Sequence, residues 1–320
     1  MPTASEAFAE SFGRVAEQAN RLRAEIGEEG LLSAPFAERA DYAPEPFVRR
    51  VLGVAGAIDR ATGAAEPTIT ILLASSFPAL RTLGTATELA ERGQSIRLGL
   101  GSDLLAILER SEVDPARTTL IELPPAIPFV GPGERAHCAG MVGSFGSRVT
   151  STAGARSIMT SGHGVPSIAG APAYDDAATL IGLVSSSDCP LGGVPGQDYA
   201  DVAVVDLQPS VPDTSLPTPG GVTVGVARVW DDVTSNGPIT SARSPLLTVG
   251  APFAGPQRSD GNWGEAMLTA RAISAPGDSG APVYNAAGEL IGHVVAGYPG
   301  VYTVVQDVTF QLKAVDAAIR

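Results

Sequence analysis

The first thirty residues carry a helical pattern of apolar positions. The residues that recur at steps of three and four are Phe8, Phe12, Val15, Ala19, Leu22 and Ile26. Thr3 and Glu6 have the spacing of a capping box, and Gly27 and Gly30 are typical of a helix end. The pattern therefore predicts an amphipathic helix within residues 1–30.

Beyond a Pro-containing stretch at 31–46, which is typical of a linker, short apolar runs alternate with helical patches. The runs that indicate strands are 51–58, 68–74, 95–101 and 118–123, and those with helical spacing are 80–93 and 103–110. This alternation predicts a small α/β domain over residues 47–130. Nothing in it resembles a catalytic constellation.

Residues 136–320 contain many short β-rich runs separated by Gly, Pro, Ser and Asp. Such spacing is typical of an all-β barrel or sandwich, and we expect the run 222–230 to be one of its strands. The final segment, 307–319, has helical spacing and predicts a terminal helix.

Composition and charge narrow the classes of function. A hydrophobic share of 44% with 17% charged residues is typical of a folded chain. A net charge of −13 argues against a nucleic-acid partner, which needs Lys and Arg to neutralise phosphates. No run reaches the roughly 18 apolar residues of a membrane helix. The N-terminus lacks a secretory pattern, so we expect a cytoplasmic protein whose Cys138 and Cys189 stay unpaired, with a single bridge as the alternative.

The strongest chemical signal is the sequence APGDSGAPV. A serine hydroxyl is a weak nucleophile, so it needs a base and two N–H donors for the developing oxyanion. The turn around Ser279 offers such donors at Gly277 and at Ser279 itself, and Gly280 permits a tight bend. Asp278 is expected to anchor the turn through a buried hydrogen bond. The four residues GDSG also fit an ordinary loop between strands.

The base is expected among the three histidines. His163 follows an apolar run and lies in a turn of small residues, which suits an imidazole at a cleft edge. His137 has no such setting, and His293 lies in an alternating strand pattern that favours a structural role. Asp201, directly before the run VAVV, is the expected acid that fixes the histidine tautomer.

The three motifs TSGH, DVAVV and GDSGAPV, in this order, resemble the chymotrypsin/trypsin family of serine proteases. The resemblance covers roughly Cys138 to Arg320 and extends, less specifically, to bacterial trypsin-like peptidases with an N-terminal extension. It implies a double six-stranded β-barrel, with His163, Asp201 and Ser279 as the triad in the cleft between the barrels. The predicted fold is therefore multidomain α+β: a helix, a small α/β domain and a trypsin-like protease domain at 136–320.

The resemblance also implies how the chain acts: hydrolysis of peptide bonds through an acyl-enzyme, with a polypeptide substrate and without cofactor or metal. Two departures concern the histidine turn, where Ser161 and Gly164 replace the family's usual Ala and Cys. The bracing disulfide of that turn is therefore missing.

Further departures concern substrate binding. The strand that pairs with substrate usually reads Ser-Trp-Gly, and here it reads Val-Ala-Gly from Val295 to Gly297. Ile273, six residues before Ser279, stands where an acid would select Lys or Arg. The resemblance thus implies a substrate-binding set of Ile273, Ser274, Val295 and Gly297, with preference for apolar or small side chains.

Other functions stay open. An α/β-hydrolase esterase would have to use Glu289 and His293 after the serine, and a serine/lysine hydrolase would depend on Lys313. His137 with Cys138 is too few ligands for zinc. A degenerate protease fold that only binds protein is the non-enzymatic alternative. Because the N-terminal segments lack catalytic residues, we expect them to restrain or recruit the protease, with a regulatory partner on the N-terminal helix.

Overall fold

The structure, a computed structural model, describes most of the chain. The residues described are 4–28, 48–49, 51–59, 66–75, 77–94, 97–98, 102–124, 126–128, 136–138, 141–165, 168–175, 177–194, 196–213, 216, 220–254 and 261–320. The predicted linker at 31–46 lies outside them.

The N-terminal part builds a small mixed sheet. Its elements are α1 (Ala4–Glu28), β1 (Val48–Arg49), β2 (Val51–Asp59), β3 (Glu66–Ala74), β4 (Arg81–Thr85), α2 (Ala86–Glu91), β5 (Arg97–Leu98), β6 (Ser102–Asp103), α3 (Leu104–Arg110) and β7 (Thr118–Leu123). The four long strands have the order β2-β3-β7-β4, and only β3 and β7 are parallel. A parallel pair needs a long crossover, which here carries β4, α2 and α3. β1, β5 and β6 form a separate short sheet.

The apolar stripe of α1 covers one face of this sheet. Leu22 and Ile26 are fully buried in a cluster with Val54 of β2, Ile71 of β3 and Leu104 of α3. The stripe recognised in the sequence is therefore the packed face of the helix. None of the described helices is long and apolar enough to cross a membrane.

The single helix predicted over 80–93 is wrong, because the segment divides into β4 and α2. Gly84 adopts a φ of 115°, which no helix permits. Thr85 then caps α2 by accepting the N–H of Glu88, whose side chain accepts the N–H of Thr85 in return. This capping box starts the helix six residues later than the apolar spacing suggests.

In the rest of the described chain, nearly all the regular elements are β-strands. Its elements are β8 (Ile127–Pro128), β9 (Ala136–Cys138), β10 (Met141–Gly143), β11 (Arg148–Thr150), β12 (Arg156–Thr160), β13 (Pro172–Tyr174), β14 (Leu180–Asp188), β15 (Asp198–Tyr199), β16 (Val202–Leu207), β17 (Asp232–Ser235), β18 (Arg243–Phe253), β19 (Asn262–Thr269), β20 (Pro282–Asn285), β21 (Leu290–Tyr298), β22 (Tyr302–Asp307), α4 (Val308–Ala314) and β23 (Ala318–Ile319).

These strands form two large sheets. The first has the order β10-β9-β13-β14-β16-β12-β11-β23. The second has the order β15-β19-β18-β17-β20-β21-β22, and β19 also pairs with β22, so that β17 to β22 close into a ring. The chain is thus mostly β with few helices. Within the described residues no pairing closes the first sheet, and the double six-stranded barrel stays a prediction.

Two segments of the C-terminal half differ from their predicted structure. Residues 222–230 form no strand, and their one β contact is an isolated bridge between Val224 and Leu290. The helix predicted over 307–319 is shorter, since α4 ends at Ala314 and β23 then pairs with β11. Both segments have the apolar spacing on which the predictions rested. Whether a neighbouring strand is available for pairing decides which secondary structure forms.

The second large sheet shares its core with the N-terminal sheet. Leu52 of β2 and Leu72 of β3 belong to one buried cluster with Phe253, Trp263 and Tyr302. The amide of the residue after β18 also donates to the carbonyl of Leu52. The predicted domain boundaries stay predictions, and the packing across the 130/136 boundary is continuous.

Candidate active site

The segment Ala275–Gly280, called here the nucleophile turn, is a tight backbone loop that leads into β20. Gly277 and Gly280 have φ values of 108° and 93°, which strongly favour glycine. A Cβ on Gly280 would lie 2.5 Å from the carbonyl oxygen of Ser144. The backbone therefore strongly favours glycine at positions 277 and 280, on either side of Asp278 and Ser279.

Asp278 anchors this turn. Its carboxylate is fully buried and accepts the N–H groups of Ala275 and Ile239 at 2.8 and 2.9 Å. Burial raises the pKa of this carboxyl above its ordinary value, while the N–H donors act in the opposite direction. The carboxylate is thus held by amides of its own chain, as the sequence predicted for an anchoring residue.

Sequence reasoning missed Ser144, which ties the nucleophile turn to the first sheet. Its N–H donates to the carbonyl of Ser279 at 2.5 Å, and its Oγ donates to the carbonyl of Gly277 at 2.7 Å. With these two carbonyls fixed, the adjoining peptide planes are fixed as well. No motif marks this serine, which simply follows a short apolar run.

The amides of Gly277 and Ser279 make no hydrogen bond to an acceptor in the described part of the chain. Two fixed N–H groups in one turn that are not used by the fold are a suitable arrangement for an anionic oxygen. Their assignment as an oxyanion hole stays a prediction.

The structure brings His163 and Asp201 into direct contact. His163 lies in the 3-10 turn Gly162–Gly164 after β12, and Asp201 directly precedes β16. The Asp201 carboxylate accepts the His163 backbone N–H at 2.8 Å through one oxygen and Nδ1–H at 2.6 Å through the other. Gly162 is required here, because a Cβ would lie 2.1 Å from the carbonyl of Asp188. This geometry directs the unprotonated Nε2 of His163 away from Asp201.

Three further residues hold Asp201, and none of them was identified from the sequence. The Trp263 indole N–H donates to the same carboxylate oxygen as Nδ1, at 2.9 Å. Gln306 accepts the Asp201 backbone N–H at 2.7 Å, and Gln311 donates to its carbonyl at 3.3 Å. These three residues lie 62 to 110 residues away in the chain, so no local pattern reveals them.

The structure has no hydrogen bond between His163 Nε2 and Ser279 Oγ. Ser279 Oγ instead donates to the carbonyl of Val295 at 3.4 Å, and His163 Nε2 is buried without a hydrogen-bond partner in the described residues. The two turns nevertheless touch, since a Cβ on Gly280 would lie 2.9 Å from the amide nitrogen of Ser161. Ser279 is 0% exposed and His163 2%, so both residues are buried.

The predicted substrate-binding residues lie on both sides of the nucleophile turn. Ile273 is fully buried in the core of the second sheet, and its N–H donates to Thr303 Oγ1 at 3.0 Å. Ser274 Oγ is 2.7 Å from the same hydroxyl oxygen. Val295 and Gly297 lie on β21, where β8 pairs alongside. Their roles in binding substrate stay predictions.

His293 has a structural position. Ser147 donates its backbone N–H to Nε2 at 3.2 Å, so the ring carries its proton on Nδ1 and donates it to Gln311 Oε1 at 2.7 Å. Burial lowers the pKa of His293 from 6.5 to about 4. The ring thus links the first sheet to α4, and through Gln311 to Asp201.

The remaining metal-ligating and cysteine groups are described only in part. No cluster of three or more metal-ligating side chains occurs among the described residues. The side chains of His137 and Cys138 lie outside the described part, so the state of Cys138 and Cys189 stays a prediction.

The solved structures similar to this chain are chymotrypsin/trypsin-like serine proteases. Nocardiopsis protease shares 21% identity with a TM-score of 0.44, over 59% of this chain and 97% of that one. A chymotrypsin from Cellulomonas bogoriensis shares 21% with a TM-score of 0.43, over 59% and 96%. An alpha-lytic protease homolog shares 19% with a TM-score of 0.41, over 58% and 96%. No family model and no curated protein matches the sequence.

Proposed function

We propose that this chain is a serine endopeptidase in which Ser279, His163 and Asp201 act together. The observation that carries the proposal is the buried Asp201–His163 pair. Its ring has a buried Nε2 without a partner among the described residues and lies on a turn that touches the nucleophile turn. A buried polar atom without a partner is costly, so its retention favours a catalytic use.

The chemistry follows from the available groups. Ser279 Oγ turns from the Val295 carbonyl toward His163 Nε2, gives up its proton to that nitrogen and attacks the carbonyl carbon of a peptide bond. The resulting oxyanion accepts the N–H groups of Gly277 and Ser279. Asp201 stabilises the cationic ring of His163, which then passes the proton to the leaving amine as the peptide C–N bond breaks. A water molecule attacks the resulting acyl-enzyme in the same way, which releases the carboxylic acid and restores Ser279.

An unbiased peptide-library digest tests this proposal. We expect purified full-length protein to cut peptides beside apolar or small residues, since Ile273 stands at the proposed pocket base. Ser279→Ala is expected to abolish cleavage, whereas Ser151→Ala, which removes another buried serine hydroxyl, keeps it. Cleavage that survives in the Ser279→Ala protein would refute the assignment of the nucleophile.

A second candidate is a protease fold that binds protein without cutting it. It is favoured by the missing hydrogen bond between His163 and Ser279 and by the complete burial of Ser279. A fluorophosphonate probe separates the two, because only an activated serine reacts with it. The protease proposal predicts labelling that is lost in Ser279→Ala and strongly reduced in His163→Ala, and the binding proposal predicts no labelling in any form.

We also propose that the N-terminal part regulates the site. Its sheet shares a buried core with the second large sheet, and this contact is the route by which a displacement of one part would reach the other. A regulatory protein on α1 and a cytoplasmic location stay predictions.

A further inference from the structure

β21 has two backbone edges, and one of them faces the nucleophile turn. β22 pairs along the other edge, including at Ala296 and Gly297. On the facing edge β20 pairs near the start of β21, and the N–H of Gly280 then donates to the carbonyl of Val294 at 2.7 Å. Ser279 therefore lies beside this edge, just before its last residues.

Those last residues are already paired with another part of the chain. β8 runs antiparallel to β21, with Pro128 opposite Ala296 and Ile127 opposite Gly297. Because β22 holds the other edge, β8 has to lie on the edge of Ser279. It is a strand of only two residues, and Pro128 has no N–H to contribute to the pairing.

The residues before β8 fix it in this position. The carbonyl of Leu123 accepts the N–H of Ser75 at 2.9 Å, and the Tyr302 hydroxyl donates to the carbonyl of Pro124. Ala126 is 2% exposed and belongs to the same buried cluster as Leu123 and Tyr302. β8 is thus connected through a few anchored residues to β7 of the N-terminal sheet.

A peptide that reacts with Ser279 needs the same edge. Its carbonyl carbon must reach Ser279 Oγ while its oxygen reaches the amides of the nucleophile turn. An extended peptide in that position continues along the nearest strand edge by adding a strand to it, mainly through backbone hydrogen bonds. Ala296 and Gly297 provide that edge, and two strands cannot pair with one edge at the same time.

We infer that β8 of the same chain is the resident occupant of the β21 edge at Ala296 and Gly297, the edge on which a peptide that reacts with Ser279 would dock. The inference rests on the proposed function. A peptide substrate has to displace β8, and a shift of the N-terminal sheet that withdraws β8 opens the edge. This assigns to the segment between the two parts of the chain a direct role in controlling access.

The size of the effect follows from the population of the open edge. If β8 occupies the edge in nine molecules of ten, the apparent affinity for a competing peptide falls about tenfold. A small reagent that needs only Ser279 and the two amides does not compete with β8. The two kinds of ligand therefore respond differently to the loss of β8.

The test uses full-length protein and two probes. One is a small alkyl fluorophosphonate, and the other is a tripeptidyl phosphonate with apolar side chains. Ala126→Arg places a charge in the buried cluster and is expected to expel β8. Tyr302→Phe removes only the hydroxyl bond to Pro124, and Tyr298→Phe, at the residue paired with Tyr302 across the hairpin, is its control.

We expect the tripeptidyl probe to label Ala126→Arg about tenfold faster than the wild type and Tyr302→Phe by a smaller factor, while Tyr298→Phe stays at the wild-type rate. The small probe is expected to label all four proteins alike. Hydrogen exchange at Ala296 and Gly297 is expected to accelerate in Ala126→Arg. Where Ala126→Arg does not fold, Tyr302→Phe decides by the same readouts.

The inference would be overturned if the tripeptidyl probe labelled the wild type at the same rate as a variant whose hydrogen exchange shows a released edge. That result would leave the proposed function intact. Failure of the small probe in every protein would instead overturn the proposed function. In that case the exchange data alone test β8, and equal exchange at Ala296 and Gly297 in all proteins would overturn its docking as well.

Discussion

The acid–base side of the candidate site and its nucleophile side are held by different means. On the acid–base side the functional groups themselves are fixed: Asp201 accepts two hydrogen bonds from His163 and one from Trp263. Its own backbone is held by Gln306 and Gln311. The imidazole therefore has one orientation and one tautomer.

On the nucleophile side the backbone is fixed and the functional oxygen is not. Ser144 and the buried Asp278 hold the turn, whereas Ser279 Oγ has only a 3.4 Å bond to the Val295 carbonyl. A bond of that length is weak and easily exchanged. In the proposed function this difference means that the base is preorganised and that activation consists of turning one hydroxyl toward it.

The largest effect is expected when the acid–base side is disrupted at Asp201. Asp201→Asn keeps the size of the side chain but removes the charge that selects the Nδ1–H tautomer of His163. We expect kcat to fall about 10⁴-fold with an unchanged fold. Turnover and thermal unfolding of the same preparations check this. A fall of only a few fold would mean that His163 acts without this carboxylate.

The next largest effect concerns His293, which supports the acid–base side through Gln311, and it depends on pH. His293 has its pKa lowered to about 4 in the folded state, against 6.5 when unfolded. Between these values only the unfolded chain binds the proton, so stability falls as the pH drops from 6.5 to 4. The loss amounts to about 3 kcal/mol.

Unfolding by denaturant at pH 7 and pH 4 measures this loss. His293→Gln is expected to be less stable at pH 7 but to lose less of its stability on acidification. Other buried carboxyls titrate in both proteins, so the difference between the two isolates His293. The same pH dependence in both would contradict the assignment.

A smaller effect is expected when Asp201 loses the hydrogen bond from Trp263. Trp263→Phe removes one of three donors to the carboxylate while keeping an aromatic ring in the core. A hydrogen bond to a charged group contributes about 1.5–3 kcal/mol, so kcat is expected to fall roughly 10- to 100-fold. Trp230→Phe, at the other tryptophan of the chain, is the control and is expected to keep activity. Equal activity of both would show that Asp201 is fixed without the indole.

The smallest effect tests the nucleophile side. Ser144→Ala removes the bond to the Gly277 carbonyl but keeps the backbone bond to Ser279. Because one neutral hydrogen bond contributes about 1 kcal/mol, we expect kcat to fall several fold and KM to change little. Ser151→Ala, at another buried serine, is the control. A larger change in KM than in kcat would indicate a role in binding rather than in holding the turn.

The sequence was most informative where function restricts residue types. The GDSG turn, the histidine after an apolar run and the aspartate before VAVV were all proposed from short motifs, because each requires a particular backbone or charge, and the structure joins the last two by hydrogen bonds. Ser144, Trp263 and Gln306 were missed, since they are ordinary residues that matter only through contacts with distant parts of the chain.

The fold shows the same division. The apolar periodicity predicted α1 and most strands, but it did not distinguish β4 from a helix, where the positive φ of Gly84 decides. The pairing of β8 with β21 depends on how the N-terminal sheet packs on the second large sheet. A periodicity within one segment carries no information on such packing.

The central claim is that Ser279, with the amides of its turn and the base His163, forms one reaction centre. A crystal structure of the full-length protein after reaction with a peptidyl phosphonate tests it most directly. The account predicts a bond from phosphorus to Ser279 Oγ, with the phosphonyl oxygen at hydrogen-bond distance from the amides of Gly277 and Ser279. An adduct on another residue, or one whose oxygen contacts neither amide while His163 stays distant, would contradict it.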